Sequence, residues 1–144
     1  MKKGFTLVEV GVAVAIVAVL TVIVSSNFSS TKTKSANTKK ISDTVQMQLA
    51  LRLFFEKCGG YPNSLATTTT ISTCPSGVNL GTFIDSIPAG FTYSLIIAPD
   101  YILRTTLSKY DNVLRDDIDG YIGGVSFGVP CDDSPNYYYC VSSK

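Results

Sequence analysis

The sequence predicts an α+β protein: a long N-terminal helix, membrane-spanning in its first half and amphipathic in its second, packed on a small antiparallel β-sheet. Three observations predict it. Sixteen of the twenty residues from Phe5 to Val24 are apolar. Ile41, Val45, Leu49 and Leu53 then recur every four residues, with Phe54 beside them, ahead of the stop Gly59-Gly60-Tyr61-Pro62. Two stretches that alternate in side-chain size and polarity follow, on either side of Ala98-Pro99-Asp100. With 144 residues the chain has room for one ordinary domain. Hydrophobic residues make up 45% and charged ones 16%, which excludes a disordered chain. The formal charge is +1 and no basic patch is interleaved with aromatics, so the footprint of a nucleic-acid binder is missing. The absence of histidine removes Ser-His and Cys-His nucleophiles and the HExxH zinc helix, and no enzyme is expected.

As a helix, Phe5 to Val24 is ~30 Å long, the thickness of a bilayer's hydrocarbon core. Lys2 and Lys3 would also suit a secretory signal peptide, but the apolar run exceeds the usual ~7 to 15 residues. Ser25-Ser26-Asn27 fits a cleavage site poorly. Glu9 is the anomaly, since a carboxylate near the centre of a span costs at least ~2.5 kcal/mol and generally has a partner. It lies near the helix N-terminus, where the dipole favours an anion. Gly11, Ala15 and Ala18 share one helix face, the arrangement that lets helices approach closely in lipid.

The basic leader Met1-Lys2-Lys3 followed by Gly4-Phe5-Thr6-Leu7-Val8-Glu9 resembles the type IV prepilin signature, shared by type IV pilins and the pseudopilins of type II secretion and DNA uptake. The resemblance covers about the first twenty-five residues. It implies that a prepilin peptidase cuts between Gly4 and Phe5, that the new amino terminus of Phe5 is methylated, and that Glu9 is the family's glutamate. Loss of Lys2 and Lys3 would turn the formal charge from +1 to −1. The Phe5 amine, with an unperturbed pKa of ~7.7 to 8, would neutralise Glu9 of an adjacent subunit and so register the two. The partners implied are further copies of the chain in a helical filament, a pilus assembly platform in the inner membrane, and lipid before assembly. Lys32, Lys34, Lys39 and Lys40 conflict with an exported C-terminal part by the positive-inside rule, whereas the cysteines favour export.

The chain divides accordingly into a leader (1–4), a spanning segment (5–24), an amphipathic helix (25–57) and a disulfide-bonded α+β head (58–144). Half of the residues from Ser25 to Thr44 are Ser or Thr, so helix there needs neighbours to pack on. Cys58, Cys74, Cys131 and Cys140 include no CxxC pair, which favours disulfides over zinc. Three connectivities exist, and proximity favours Cys58 with Cys74 and Cys131 with Cys140. The second pair encloses Asp132-Asp133-Ser134-Pro135-Asn136-Tyr137-Tyr138-Tyr139 and resembles the disulfide-bounded C-terminal region of many pilins. Asp132, Asp133, Tyr137, Tyr138 and Tyr139 are expected to form an exposed contact surface, the alternative being tyrosines packed on the sheet edge.

Phe91 to Ile97 and Tyr101 to Leu107 are expected as strands, with a third around Val125, Phe127 and Val129. Asp117 and Asp119, before Gly120, match part of a calcium loop, and resemblance to major pseudopilins implies calcium in this region. The distal glutamate of an EF-hand is absent, and Asp-Gly is also a common turn. The expectation is a structural pilin of an extracellular filament. A pseudopilin of a short periplasmic filament and a non-polymerising membrane-anchored binding protein are the alternatives.

Overall fold

The computed structural model describes residues 4, 6–96, 100–122, 125–126 and 130–143. One helix, α1, runs from Leu7 to Cys58, and a small three-stranded antiparallel sheet follows it. The chain divides into two compact units, Met1–Ser35 and Ala36–Lys144.

In the first unit the large apolar side chains from Leu7 to Val24 are exposed, and α1 is long and apolar enough to cross a membrane. Its polar side chains bond within the helix. The Thr21 hydroxyl donates to the Val17 carbonyl at 2.7 Å, and the Ser25 hydroxyl to the Thr21 carbonyl at 2.8 Å. This back-bonding satisfies hydroxyls that lipid could not.

In the second unit the helix buries one face. Met47, Leu51, Phe54 and Cys58 pack with Tyr101, Leu103, Tyr139 and Val141, together with Leu80, Leu107 and Leu114. Spacings of four, three and four residues keep that set on one side of a helix with 3.6 residues per turn. The expected stripe is therefore corrected. Ile41 and Phe54 do meet the core, but Val45, Leu49 and Leu53 are 56%, 59% and 38% exposed. A strict four-residue repeat drifts by about 40° per step and cannot stay on one narrow face. The helix ends where Gly59 takes a φ of 73°, a left-handed conformation suited to glycine, and its N–H donates to the Phe55 carbonyl at 2.7 Å.

Strands β1 (Phe91–Leu95) and β2 (Tyr101–Thr106) form an antiparallel hairpin, with Phe91 opposite Thr105 and Leu95 opposite Tyr101. Ile97, Ala98 and Pro99, part of the expected strand and turn, lie outside the described residues. The third strand of this sheet is not the one expected near Val125. Among the described residues Val125–Ser126 (β4) pairs with Tyr121–Ile122 (β3) and not with β1 or β2, while Phe127 and Val129 lie outside the described residues. Instead Tyr138–Ser142 (β5) completes the sheet against β2, with Leu103 opposite Val141 and Arg104 opposite Cys140. The reason is burial: β5 supplies two inward side chains, Tyr139 and Val141, to the core under α1.

Alternation along β2 and β5 gives the sheet two buried faces. Tyr101, Leu103, Tyr139 and Val141 join the helix core, while Ile102 and Cys140 join Cys131, Ile96 and Ile118 on the other side. Polar contacts fix the helix to the same sheet. The buried Asn37 donates to the Lys109 carbonyl at 3.0 Å and accepts from the Ser108 N–H at 2.9 Å. Lys40 Nζ donates to the Thr106 carbonyl, and Gln48 Nε2 to the Ser142 carbonyl at 3.3 Å.

These positions separate the three tyrosines expected on a contact surface. Tyr139 is 9% exposed and belongs to the core, and Tyr137 is half-buried against that core. Tyr138 lies on the opposite face under the Arg104 guanidinium, 4.4 Å from its ring centroid. A contiguous tyrosine contact surface is therefore not formed, because alternation along β5 sends neighbouring side chains to opposite faces. Tyr139→Ala should cost about 3 to 5 kcal/mol of stability, as for other buried aromatics. Tyr138→Ala, which loses one cation–π contact, should cost about 1 kcal/mol. Urea unfolding of the two variants measures the difference.

Candidate functional site

Two places concentrate chemistry: the start of α1 and a group of aspartates beside the C-terminal disulfide. At the first, Thr6 and Glu9 form a reciprocal cap. The Thr6 N–H and hydroxyl both donate to Glu9 Oε2, at 3.0 and 2.9 Å, and the Glu9 N–H donates to Thr6 Oγ1 at 3.3 Å. The sequence Thr-x-x-Glu ahead of an apolar run encodes this capping box, in which two of the helix's unpaired amides find partners. The Thr-x-x-Glu spacing signals this cap, a role for Thr6 that the expected pairing of Glu9 with a neighbour's amine leaves out. Within one chain, then, the carboxylate is held at its own helix N-terminus. Phe5, assigned to cleavage, methylation and registration, lies outside the described residues, and Gly4 beside it is exposed. Gly11 has open space around it, with no heavy atom within 4 Å of the position a Cβ would occupy. Ala15 and Ala18 are exposed as well.

The second place is built around the Cys131–Cys140 disulfide. Cys58 is bonded to Cys74 and Cys131 to Cys140, with Cα separations of 4.1 and 5.8 Å. The Cys140 N–H donates to Asp117 Oδ2 at 2.8 Å, and the Ile118 N–H to the Cys140 carbonyl at 3.3 Å. These bonds hold the aspartate segment against β5. The disulfide brings Asp133 to the same spot, so that carboxylate oxygens of Asp117, Asp119 and Asp133 all lie within 4.8 Å of one another. Asp117 and Asp119 are the ligands expected from the sequence, and Asp133 is expected on a contact surface. The structure makes Asp133 their neighbour, a pairing that depends on chain closure and has no local sequence signal. Asp132 is exposed and is not one of the three.

The electrostatics of the group follow from crowding. Burial pushes the Asp117 carboxyl up to about 7, helped by the charges of Asp133 and Asp119 and opposed by the Cys140 N–H. Asp133 is also raised, by burial and then by Asp119 and Asp132. Asp117 Oδ1 and Asp133 Oδ1 are buried without a hydrogen-bond partner. Three oxygen donors of this kind suit a hard divalent cation such as calcium. A different cluster serves packing alone. Tyr61 and Tyr93 flank Tyr101 with ring centroids 4.7 and 5.8 Å away, and the Tyr93 hydroxyl donates to the Pro62 carbonyl at 2.8 Å. Burial pushes the Tyr101 hydroxyl up to about 12, so these phenols stay neutral.

Comparison with known proteins bears on the first place only. Residues 1–25 match the family model described as the prokaryotic N-terminal methylation motif. No curated protein and no solved structure matches the chain. The motif points to a structural subunit rather than an enzyme family, and implies processing by a prepilin peptidase and assembly into a multimer. Motif and apolar helix together fit a membrane-anchored precursor. Within its first 25 residues the chain carries the N-terminal methylation signature of type IV pilins and pseudopilins.

Proposed function

We propose that the chain is a type IV pilin, the structural subunit of an extracellular filament assembled through its apolar N-terminal helix. The observation that carries this reading is the register of Gly4, Phe5 and Glu9 ahead of a span whose large side chains find no cover within the chain. Cleavage after Gly4 frees the Phe5 amine, and methylation leaves it cationic. That amine pairs with Glu9 of a neighbour, which exchanges its bond to Thr6 for an ion pair in a bundle of low dielectric. Lipid gives apolar helices little reason to associate, so the pair and the small residues Gly11, Ala15 and Ala18 drive and register contact. Two disulfides per subunit suit a fibre exposed to an oxidising exterior.

The aspartates favour a second reading at the level of subtype. A calcium ion held by Asp117, Asp119 and Asp133 would align the chain with the pseudopilins, in which such a site is a family trait. The donors are hard oxygens, and Asp117 and Asp133 each carry a buried oxygen without a hydrogen-bond partner. Calcium would relieve the repulsion that raises Asp117, and the Cys131–Cys140 bond would hold Asp133 in place for it.

Intact mass and N-terminal sequencing of the exported protein test the first reading. The expected product begins at a methylated Phe5, whereas a start after Val24 would identify a cleaved signal peptide and end the pilin reading. Glu9→Ala should insert in the membrane normally yet form few filaments by electron microscopy. Thermal unfolding tests the cation. Asp117 has a folded-state pKa above its unfolded value, so without metal its contribution to stability is lost as pH rises from about 4 through about 7. In EDTA the Tm should fall across that window, and Asp117→Asn should flatten the slope. Millimolar calcium should raise the Tm at pH 8 and much less at pH 5, because the ligands bind deprotonated. An unchanged Tm at pH 8 would exclude the calcium reading.

A further inference from the structure

One covalent bond holds the aspartate group together. Asp133 follows Asp119 by 14 residues and Asp117 by 16, so no local turn brings the three carboxylates within reach of one another. The connection runs through the disulfide. Asp117 Oδ2 accepts the Cys140 N–H at 2.8 Å, the bond crosses to Cys131 over a Cα separation of 5.8 Å, and Asp133 stands two residues beyond. The members of the group differ in how they are held. Asp117 and Asp119 flank Ile118, whose N–H donates to the Cys140 carbonyl at 3.3 Å, so hydrogen bonds to β5 place them independently of the sulfurs. Asp133 has no such tie. Its Oδ1 is buried without a partner, and the Tyr137 N–H that donates to its carbonyl at 2.9 Å closes only the turn in which both lie. The Arg104 guanidinium holds the Pro130 carbonyl, three residues short of Asp133 and on the far side of Cys131.

Resting on the cation reading above, we infer that the Cys131–Cys140 disulfide gates this site: the chain binds calcium tightly only when the disulfide is closed, and bound calcium in turn protects the disulfide from reduction. With the bond closed, three carboxylates are already gathered. With it open, two remain on β5, and the third must be drawn in against the entropy of a longer loop and the repulsion of its neighbours. Calcium affinity follows the number of charged ligands and the rigidity of the site, so both losses weaken it. The coupling is reciprocal, because whatever factor closure adds to calcium affinity, calcium adds to closure. Closure joins the two sulfurs and passes two electrons and two protons to an acceptor disulfide such as oxidised glutathione, which leaves as two thiols. A chain that still carries both thiols, as in a reducing compartment, therefore leaves calcium alone, and the site becomes competent where disulfides form. Cys58–Cys74 provides an internal control. Cys58 belongs to the helix core, and neither cysteine is part of the second core or of the aspartate group.

Calorimetric titration of calcium into the full-length chain in detergent at pH 8 tests the gate. The oxidised wild type should bind at least tenfold more tightly than the Cys131→Ala/Cys140→Ala variant, while Cys58→Ala/Cys74→Ala should bind within about twofold of wild type. Because the first pair of substitutions removes sulfurs from a buried core, the coupling is also read in the wild type without any substitution. In glutathione buffers, saturating calcium should shift the midpoint of the Cys131–Cys140 couple at least tenfold toward the disulfide, about 30 mV for a two-electron couple, and leave that of Cys58–Cys74 unmoved. Mass spectrometry of alkylated peptides separates the two pairs. A folded Cys131→Ala/Cys140→Ala variant that binds calcium like the wild type would overturn the gate and leave the cation reading standing. So would a Cys131–Cys140 midpoint that calcium does not move although the wild type binds it. Oxidised wild type that binds no calcium would instead overturn the cation reading, and the gate with it.

Discussion

The rest of the structure depends on a conflict imposed on a single helix. Over its first half α1 is apolar almost all round and long enough to cross a membrane, and over its second it buries one face against a sheet. The Ser/Thr-rich stretch between them has little helix propensity of its own. Contacts supply what propensity lacks: Asn37 grips the backbone at Ser108 and Lys109, and Lys40 reaches Thr106. Because Asn37 is buried, its amide could not be left unpaired without a cost of about 1 to 3 kcal/mol, so these bonds specify where the helix meets the sheet.

A three-stranded sheet is small, and its stability comes from being covered twice. The inward side chains of β2 and β5 reach the helix, and the outward ones reach Cys131 and Ile118. Tyr139 and Cys140 are adjacent in sequence yet serve different cores. This explains why the C-terminal disulfide does more than close a loop: its Cys140 sulfur forms part of the second core, and its Cys140 N–H holds Asp117. Arg104 completes the outer face, stacking on Tyr138 and donating to the Pro130 carbonyl at 3.0 Å.

The two sites share one electrostatic theme, a carboxylate held where its charge is unwelcome. Glu9 is tolerated at the edge of an apolar helix because the N–H and the hydroxyl of Thr6 both donate to it. Asp117 is part-buried beside two carboxylates, which raises its proton affinity, and the single Cys140 amide offsets this only in part. In each case the chain supplies partial compensation, and a cation from outside, an amine in one and a metal in the other, would complete it.

The sequence by itself determined whatever is local. The span is legible from Phe5 to Val24 because its composition alone decides how it meets lipid, and the motif from Gly4 to Glu9 because its residues are contiguous. The end of α1 at Gly59, the β1–β2 hairpin and the general α+β class are written in short-range signals of the same kind. Tertiary structure decided which helix face is buried. Val45, Leu49 and Leu53 carry the more obvious repeat, but Met47, Leu51, Phe54 and Cys58 hold the face that the sheet can reach. It also chose β5 over the Val125 region as the third strand, moved Tyr139 from a surface to the core, and brought Asp133 to Asp117 and Asp119. Each of these depends on which distant segment fills the remaining space beside β2, and that competition is settled by packing and chain closure rather than by any local pattern of residues.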